Sequence, residues 1–285
     1  MTLFGLHGGL GNMLFALPAI KALSRVGIVD LYVEGDYPSA DLFARCRYVR
    51  RVYGAGERVP DFYDQRLCGD VAPESNGPWV SCGWPRPASP HYPWSESDQI
   101  LRLAAHRKEK EDVSDWIEVS REKEIDFALI PGRKPGEEWR RKSWDGFYQL
   151  ALALEAQRFS VEAFGLRDEI ESAKLLGWHH GERSLVSLAG VLGGVRVAIA
   201  TDSGVGHVAS SLGIPTVMLF TATSPVKGRP LGPHKILSLN LPCAPCQTTP
   251  RWNECRDWKC RAIKVDDVLR EAVKMLERPI EEAVP

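Results

Sequence analysis

The feature that most constrains this chain is an alternation of two hydrophobic periods. Short apolar, β-branched runs lie at Thr2 to Leu6, Val29 to Val33, Ile125 to Ile130, Ser160 to Phe164, Val195 to Ala200, Thr216 to Phe220 and Lys235 to Leu239. Between them, apolar residues recur at helical spacing over Met13 to Arg25, Ser97 to Arg107, Trp144 to Ala156, Asp168 to Leu176, Ser184 to Leu192, Val205 to Leu212 and Asp266 to Leu276. A strand that is apolar along its length is buried on both faces, and helices between successive strands supply the cover. The alternation therefore predicts an α/β fold with parallel sheets. At 285 residues the chain has room for two such domains. The charged stretch Arg107 to Glu124, read as a solvated helix face and connector, sets the predicted boundary, with domains 1–122 and 123–285. Pro60 to Pro93 is rich in Pro, Gly and Trp and follows neither period, so no element is assigned to it, with loops that shape a pocket as one role open to it.

Charge and hydropathy exclude several classes of function. Lys plus Arg (36) nearly balance Asp plus Glu (37), a net charge of -1, which disfavours a dedicated nucleic-acid binder without excluding a local basic cleft. The most apolar segment, Ala189 to Ala200, contains Arg196 and three glycines, so no membrane-spanning helix and no stable membrane insertion are expected. Leu14 to Leu23 is apolar enough to mimic a signal-peptide core, but Met1 to Met13 has no Lys or Arg and is broken by glycines. The expectation is a cytoplasmic protein.

Three segments have the composition of a site. In the first, the strand Thr2 to Leu6 runs into His7-Gly8-Gly9-Leu10-Gly11-Asn12 and then a helix. Gly8, Gly9 and Gly11 let backbone turn sharply and approach a ligand, although the spacing is neither G-x-G-x-x-G nor a Walker loop. Pro18 would remove a hydrogen bond from the helix that follows, so that helix begins late or kinks. In the second, Thr201-Asp202-Ser203-Gly204 joins the strand Val195 to Ala200 to the helix Val205 to Leu212. Asp202 or Ser203 can cap that helix, and Gly204 exposes first-turn N–H groups that favour a phosphate. His207 in the first turn is either a packing and capping residue or a ligand of ribose or phosphate. In the third, Cys243, Cys246, Cys255 and Cys260 follow a C-x2-C-x8-C-x4-C pattern and hold four of the seven cysteines. Such a set suits a structural zinc or iron with no open position; the alternatives are free thiols or disulfides. Arg251, Trp252, Arg256, Trp258, Lys259 and Arg261 surround it, either packing on the loop or forming a face for a nucleic acid or sugar acceptor.

The second segment also carries a resemblance. Ser184-Leu185-Val186-Ser187-Leu188-Ala189-Gly190, Ala200-Thr201-Asp202-Ser203-Gly204-Val205-Gly206-His207-Val208-Ala209 and Leu212-Gly213-Ile214-Pro215-Thr216-Val217-Met218-Leu219-Phe220 resemble the donor-site signature of the heptosyltransferases, glycosyltransferase family 9. Upstream, Ile130-Pro131-Gly132 with Lys142-Ser143-Trp144 and Phe147 is similar to that family's strand, glycine turn and Lys-x-Trp segment. At the N-terminus, Gly11-Asn12-Met13-Leu14 and Leu17-Pro18-Ala19-Ile20-Lys21-Ala22-Leu23 look like its opening turn and helix. Residues 40 to 120 carry none of the motifs on which the resemblance rests.

The resemblance implies a GT-B fold: two Rossmann-like domains facing across a cleft, the N-terminal one holding the acceptor and the C-terminal one a nucleoside diphosphate sugar. It implies inverting transfer, without a catalytic metal, of a heptose or other hexose-like sugar to a hydroxyl on a glycan, protein or other macromolecule. Lys142 matches the lysine that meets donor phosphates; Asp202, Ser203, Gly204 and His207 carry over as donor-site residues. Glu169 is a weaker match to an acid that binds the donor ribose, or else a helix N-terminal acid. Some relatives in the autotransporter-modifying branch hold iron in a four-cysteine finger. Asn12 stands where the family places its proposed catalytic aspartate, and an amide is not a general base at neutral pH. His7, Asp36 and His91 are the alternative bases. A nucleotide-sugar-binding protein without efficient transfer, and a transferase acting on nucleic acid, are the competing expectations.

Overall fold

A computed structural model describes residues 1–35, 39–69, 73, 79–82, 95–109, 111–122, 124–133, 136–247 and 249–277. The chain divides into two units, Met1–Glu118 and Val119–Pro285. Asp36 and His91 lie outside the described residues.

Unit 1 contains β1 (Thr2–Gly8), α1 (Leu10–Leu14), α2 (Leu17–Ser24), β2 (Val29–Gly35), α3 (Ala40–Phe43), β3 (Arg51–Gly54), β4 (Gln65–Cys68), β5 (Val80–Ser81) and α4 (Glu96–Ala105). Its sheet has the order β3-β2-β1-β4-β5, with every pair parallel. The most apolar strand, β1, sits in the middle, as burial on both faces requires. The helix expected over Met13 to Arg25 is two helices, broken at Phe15 and Ala16. Pro18 explains the break: it occupies the first turn of α2, where a missing N–H leaves no hydrogen bond unmade. Strands β3 to β5 gave no period in the sequence because none exceeds four residues and they carry Arg51, Gln65 and Arg66 among their apolar positions.

The connector departs from expectation. Residues 107–124 contain no described helix, and Val113, Trp116 and Ile117 are buried. Trp116 packs its ring 5.8 Å from that of Phe43, and its carbonyl accepts from the Arg47 N–H at 2.8 Å. Lys21 Nζ donates to the Asp112 carbonyl and to Asp115, both at 2.7 Å. The three apolar residues among the charges are therefore anchors that dock irregular chain onto unit 1, and the division falls four residues before the predicted boundary.

Unit 2 contains β6 (Ile125–Ile130), α5 (Phe147–Ala156), β7 (Val161–Ala163), α6 (Arg167–Ser172), α7 (Leu185–Gly193), β8 (Val195–Thr201), α8 (Gly204–Ser211), β9 (Thr216–Leu219), β10 (His234–Leu237), α9 (Arg251–Glu254) and α10 (Val265–Glu277). Its sheet, also all parallel, has the order β10-β9-β8-β6-β7. Phe127, Leu129, Val197, Ile199, Val217 and Leu219 form one core with Leu150 and Leu154 of α5 and Val268 of α10. Each such side chain contributes about 1.5–3 kcal/mol by leaving water. No helix among the described residues is long and apolar enough to cross a membrane.

Strand order locates where a ligand would sit. An open parallel sheet binds ligands outside the carboxyl ends of its strands, where the winding reverses. In unit 1 the reversal lies between β1 and β4, so the turn Gly8 to Asn12 is at the switch. In unit 2 it lies between β6 and β8, which selects the turns at Pro131 to Arg133 and Asp202 to Gly204.

Candidate functional site

The two turns of the unit 2 switch touch. Thr201 Oγ1 donates to the Gly132 carbonyl at 2.5 Å, and a Cβ at Gly132 would stand 3.2 Å from Ser203 Cβ and Oγ. Only a glycine admits that approach without displacing Ser203. Ser203 then caps α8: its backbone is extended (φ -139°) and its Oγ accepts from the Gly206 N–H at 3.3 Å. The Gly204 and Val205 N–H groups have no acceptor within the helix, and both residues remain partly exposed. Glu169, in the first turn of α6, clamps the flanking loops: Oε1 accepts from the Arg133 N–H at 2.7 Å and Oε2 from the Leu166 N–H at 2.8 Å. Burial raises the Glu169 carboxyl above its ordinary value, and the two N–H groups offset part of that rise.

Asp202 organises the charged groups. Its Oδ2 lies 2.9 Å from Lys142 Nζ, and its Oδ1 accepts from His207 Nε2 at 3.0 Å. Burial alone would raise the Asp202 carboxyl. The Lys142 ammonium, the His207 imidazole and the Thr223 hydroxyl outweigh burial and hold it far below the usual carboxylate range. Asp202 is therefore an ionised strut that fixes a lysine and a histidine beside the free amides of α8. Lys142, Glu169, Asp202, Ser203, Gly204 and His207 come together at one end of one sheet. Thr201, named in the sequence only as part of the turn, belongs to the same neighbourhood, as do Thr221, Thr223 and Arg141, which were not singled out. The signal for Thr221 to Ser224 was a run of small hydroxyl residues straight after a buried strand, and three of its polar members are less than a tenth exposed.

Lys142 ends a 3-10 helix, Glu137–Lys142, and the three-residue turn decides what its neighbours meet. Glu137 and Arg140 share one edge and pair at 2.9 Å. Trp139 and Lys142 share another, with Nζ 5.9 Å from the ring centre. Arg141, only 6 % exposed, turns inward. It lies 5.1 Å from the Trp252 ring and 5.9 Å from that of Trp258. Arg140 and Arg261 also lie against Trp258, at 5.7 and 5.3 Å. The two tryptophans of the loop are thus met by Arg261 of the loop and by Arg140 and Arg141 of the 3-10 helix, whereas Arg256 donates to backbone carbonyls and Lys259 pairs with Asp257.

The cysteine loop is tethered to the end of β9, where the Ala222 carbonyl accepts from the Cys246 and Gln247 N–H groups. All four cysteines are free thiols. Burial first, and then the other three cysteines, push the Cys260 thiol up to about 11. Among the described residues, no three His, Cys, Asp or Glu side chains are arranged to hold a metal ion. The surroundings nevertheless suit thiolates: Arg141 Nε, Arg261 Nε and Trp258 Nε1 are buried N–H donors with no hydrogen-bond partner among the described residues.

In unit 1, Gly8 has φ 87°, a left-handed conformation that glycine adopts without strain, and Gly9 starts α1 without a side-chain cap. Gly11 and Asn12 lie within α1 itself and are partly exposed. His7 and Glu34 occupy paired positions on β1 and β2, with His7 Nδ1 3.8 Å from a Glu34 oxygen.

The profile of glycosyltransferase family 9 (heptosyltransferase) matches residues 107–256, more than half of the chain. The chain belongs to this family. It is 32% identical over 115 residues to lipopolysaccharide heptosyltransferase 1 of Pseudomonas aeruginosa, a stretch covering 40% of this chain and 30% of that relative. The fold is similar to that of the ADP-heptose lps heptosyltransferase II of E. coli, with a TM-score of 0.65 at 16% identity over 96% of this chain and 98% of the other. It is also similar to the iron-containing dodecameric glycosyltransferase TibC of enterotoxigenic E. coli, with a TM-score of 0.61 at 13% identity over 96% and 76%. At such identities the likeness establishes the fold: two parallel α/β units of GT-B type.

Proposed function

We propose that this family 9 member is an inverting glycosyltransferase whose unit 2 holds a nucleoside diphosphate sugar and whose unit 1 receives a hydroxyl acceptor on a glycan, protein or other macromolecule. The observation that carries the reading is Lys142, set by Asp202 beside the uncapped amides of α8. In the reaction the acceptor oxygen bonds to the anomeric carbon, the bond from that carbon to the donor phosphate oxygen breaks, and the hydroxyl proton passes to a base. Negative charge grows on the departing diphosphate, and a fixed ammonium with oriented N–H groups stabilises it without reorganising. Asp202 and His207 position that machinery, and Glu169 holds the loops that would border the ribose.

ADP-heptose is the donor to test first, because a relative of this fold is named for it. Asn12 orients the acceptor hydroxyl in this reading, and His7, with Glu34 beside it, takes the proton. The four cysteines hold a structural zinc or iron, a reading supported by their spacing, by the partnerless N–H donors around them and by the iron of TibC. The chain's own part there is to supply four thiolates and a cationic shell; metal analysis of the purified protein tests it, and absence of bound metal from fresh, reduced protein would refute it.

Asn12 also favours a second reading, a nucleotide-sugar-binding protein that transfers poorly. A thermal-shift panel of nucleotide sugars tests the common part: one donor should raise the melting temperature, because a ligand that binds only the folded state stabilises it. A flat panel would refute both readings. Turnover of the stabilising donor then separates them, since slow hydrolysis or transfer marks the enzyme.

A further inference from the structure

We propose that Arg141 is a positioning residue through which the cysteine loop sets Lys142, so that donor affinity depends on the integrity of a loop that itself need not touch the donor. The inference rests on the reading of Lys142 as the diphosphate cation.

The geometry forms a chain of contacts. Lys142 is the last residue of a two-turn 3-10 helix, a short element with poorer hydrogen-bond geometry than an α-helix that gains from external support. That support comes largely from the loop. Trp252 packs 5.3 Å from Trp139, whose ring centre also lies 5.9 Å from Lys142 Nζ. Trp252 and Trp258 flank Cys255 by three residues each, and both rings lie against the Arg141 guanidinium. Beyond the last cysteine, Arg261 binds Asp145 and the Ile263 carbonyl accepts from Trp144 Nε1 at 2.9 Å, fixing the chain just after Lys142. Thr221 Oγ1, at the end of β9, donates to the Arg141 carbonyl at 2.6 Å.

Two observations separate this from ordinary packing. Among the described residues the Arg141 side chain, 6 % exposed, makes one hydrogen bond, from its Nη1 to the Glu138 carbonyl at 2.9 Å, and its Nε has no partner. A buried cation of that kind is costly without partners, and the groups suited to offset it are the thiolates of the cysteine loop, which ties Arg141 to that loop. Trp258 is held at φ 44°, a left-handed conformation that a bulky residue avoids, and its ring gathers Arg140, Arg141 and Arg261. The strained backbone of the loop thus presents a ring to the two arginines that precede Lys142.

Calorimetric titration with ADP tests the clamp, using wild type, Lys142→Ala, Arg141→Gln, Trp258→Leu and the Lys142→Ala/Arg141→Gln double variant. Arg141→Gln should weaken ADP binding by about tenfold and Trp258→Leu by less, the scale of coupling between sites. The double variant should bind no more weakly than Lys142→Ala alone, because a residue acting through Lys142 has nothing further to lose. If Arg141→Gln does not fold, Trp258→Leu and its double variant with Lys142→Ala carry the same cycle. Losses that add, or a Lys142→Ala loss with no loss in either loop variant, would overturn the clamp while leaving the donor site standing. Unchanged ADP affinity in Lys142→Ala would overturn both.

Discussion

The turns after β1 and after β8 share a plan and differ in what fills it. Each leaves the carboxyl end of a buried parallel strand at the reversal of its sheet, passes through small residues and enters a helix. After β8 the side chains are committed: Ser203 caps, Asp202 holds Lys142 and His207, and Glu169 ties two loops. After β1 the helix begins at glycine without a side-chain cap, and the nearby titratable pair, His7 and Glu34, stands 3.8 Å apart. In the proposed function the difference corresponds to two chemical tasks. A departing diphosphate needs charge fixed in advance, because reorganising dipoles during the reaction would cost rate. A neutral hydroxyl needs mainly room and one or two oriented partners, which a glycine turn supplies.

The contrast breaks most visibly at Lys142. Lys142→Ala should lower affinity for ADP on the order of 100-fold, the scale for truncating one member of a largely buried charge pair. It should also lower the melting temperature in the absence of ligand, because Asp202 keeps its charge with His207 and Thr223 as its remaining partners. Calorimetry and thermal melts read the two effects, and a variant that binds ADP like the wild type would end the assignment of unit 2. Glu169→Gln comes next. Both carboxylate oxygens accept from backbone N–H groups, so an amide nitrogen must face one of those donors. The buried unmet donor should cost about 1–3 kcal/mol, visible as a lower urea midpoint. An unchanged midpoint would mean that the loops are held by something else.

How much of this was legible follows from length and period. All seven predicted strands formed, and each lies within two residues of its expected ends, because buried parallel strands write unbroken apolar runs. β3 to β5 were invisible, since a strand of four residues or fewer at the side of a sheet is stabilised by its neighbours and not by its own pattern. Of the two caps the sequence offered, the structure uses Ser203, readable because a cap acts within one helical turn, while Asp202 pairs with Lys142 and His207 instead. Lys142 was found by resemblance alone. Its partner is sixty residues away in sequence, and no local spacing encodes a pairing of that kind. Arg141 lacked even a resemblance, and its setting depends on tryptophans more than a hundred residues downstream.

A smaller effect sharpens the electrostatic side. The Asp202 carboxyl titrates below its ordinary value in the folded state, so the folded protein releases this proton more readily than the unfolded chain. Its contribution is complete above the ordinary carboxylate range and drains away as pH falls below it. Between roughly pH 5 and pH 3 the wild type should therefore lose about 1 kcal/mol more stability than Asp202→Asn. Parallel acid limbs in denaturation at the two pH values would show that Asp202 is not the ionised strut described here.

The smallest effect on donor binding should be at Asn12. If the two turns divide the work as their contents suggest, Asn12→Ala should leave ADP affinity within about 0.5 kcal/mol of the wild type. Transfer should nonetheless slow by roughly tenfold, because a hydroxyl that has lost an oriented partner spends less time in line for attack. Asn12→Asp restores a carboxylate, a group able to accept the hydroxyl proton, and should raise turnover at neutral pH. Steady-state transfer measured beside ADP titration separates the outcomes. Loss of ADP affinity in Asn12→Ala would show that the β1 turn also holds the donor, and turnover unmoved in both variants would remove Asn12 from the reaction and leave the proton to His7.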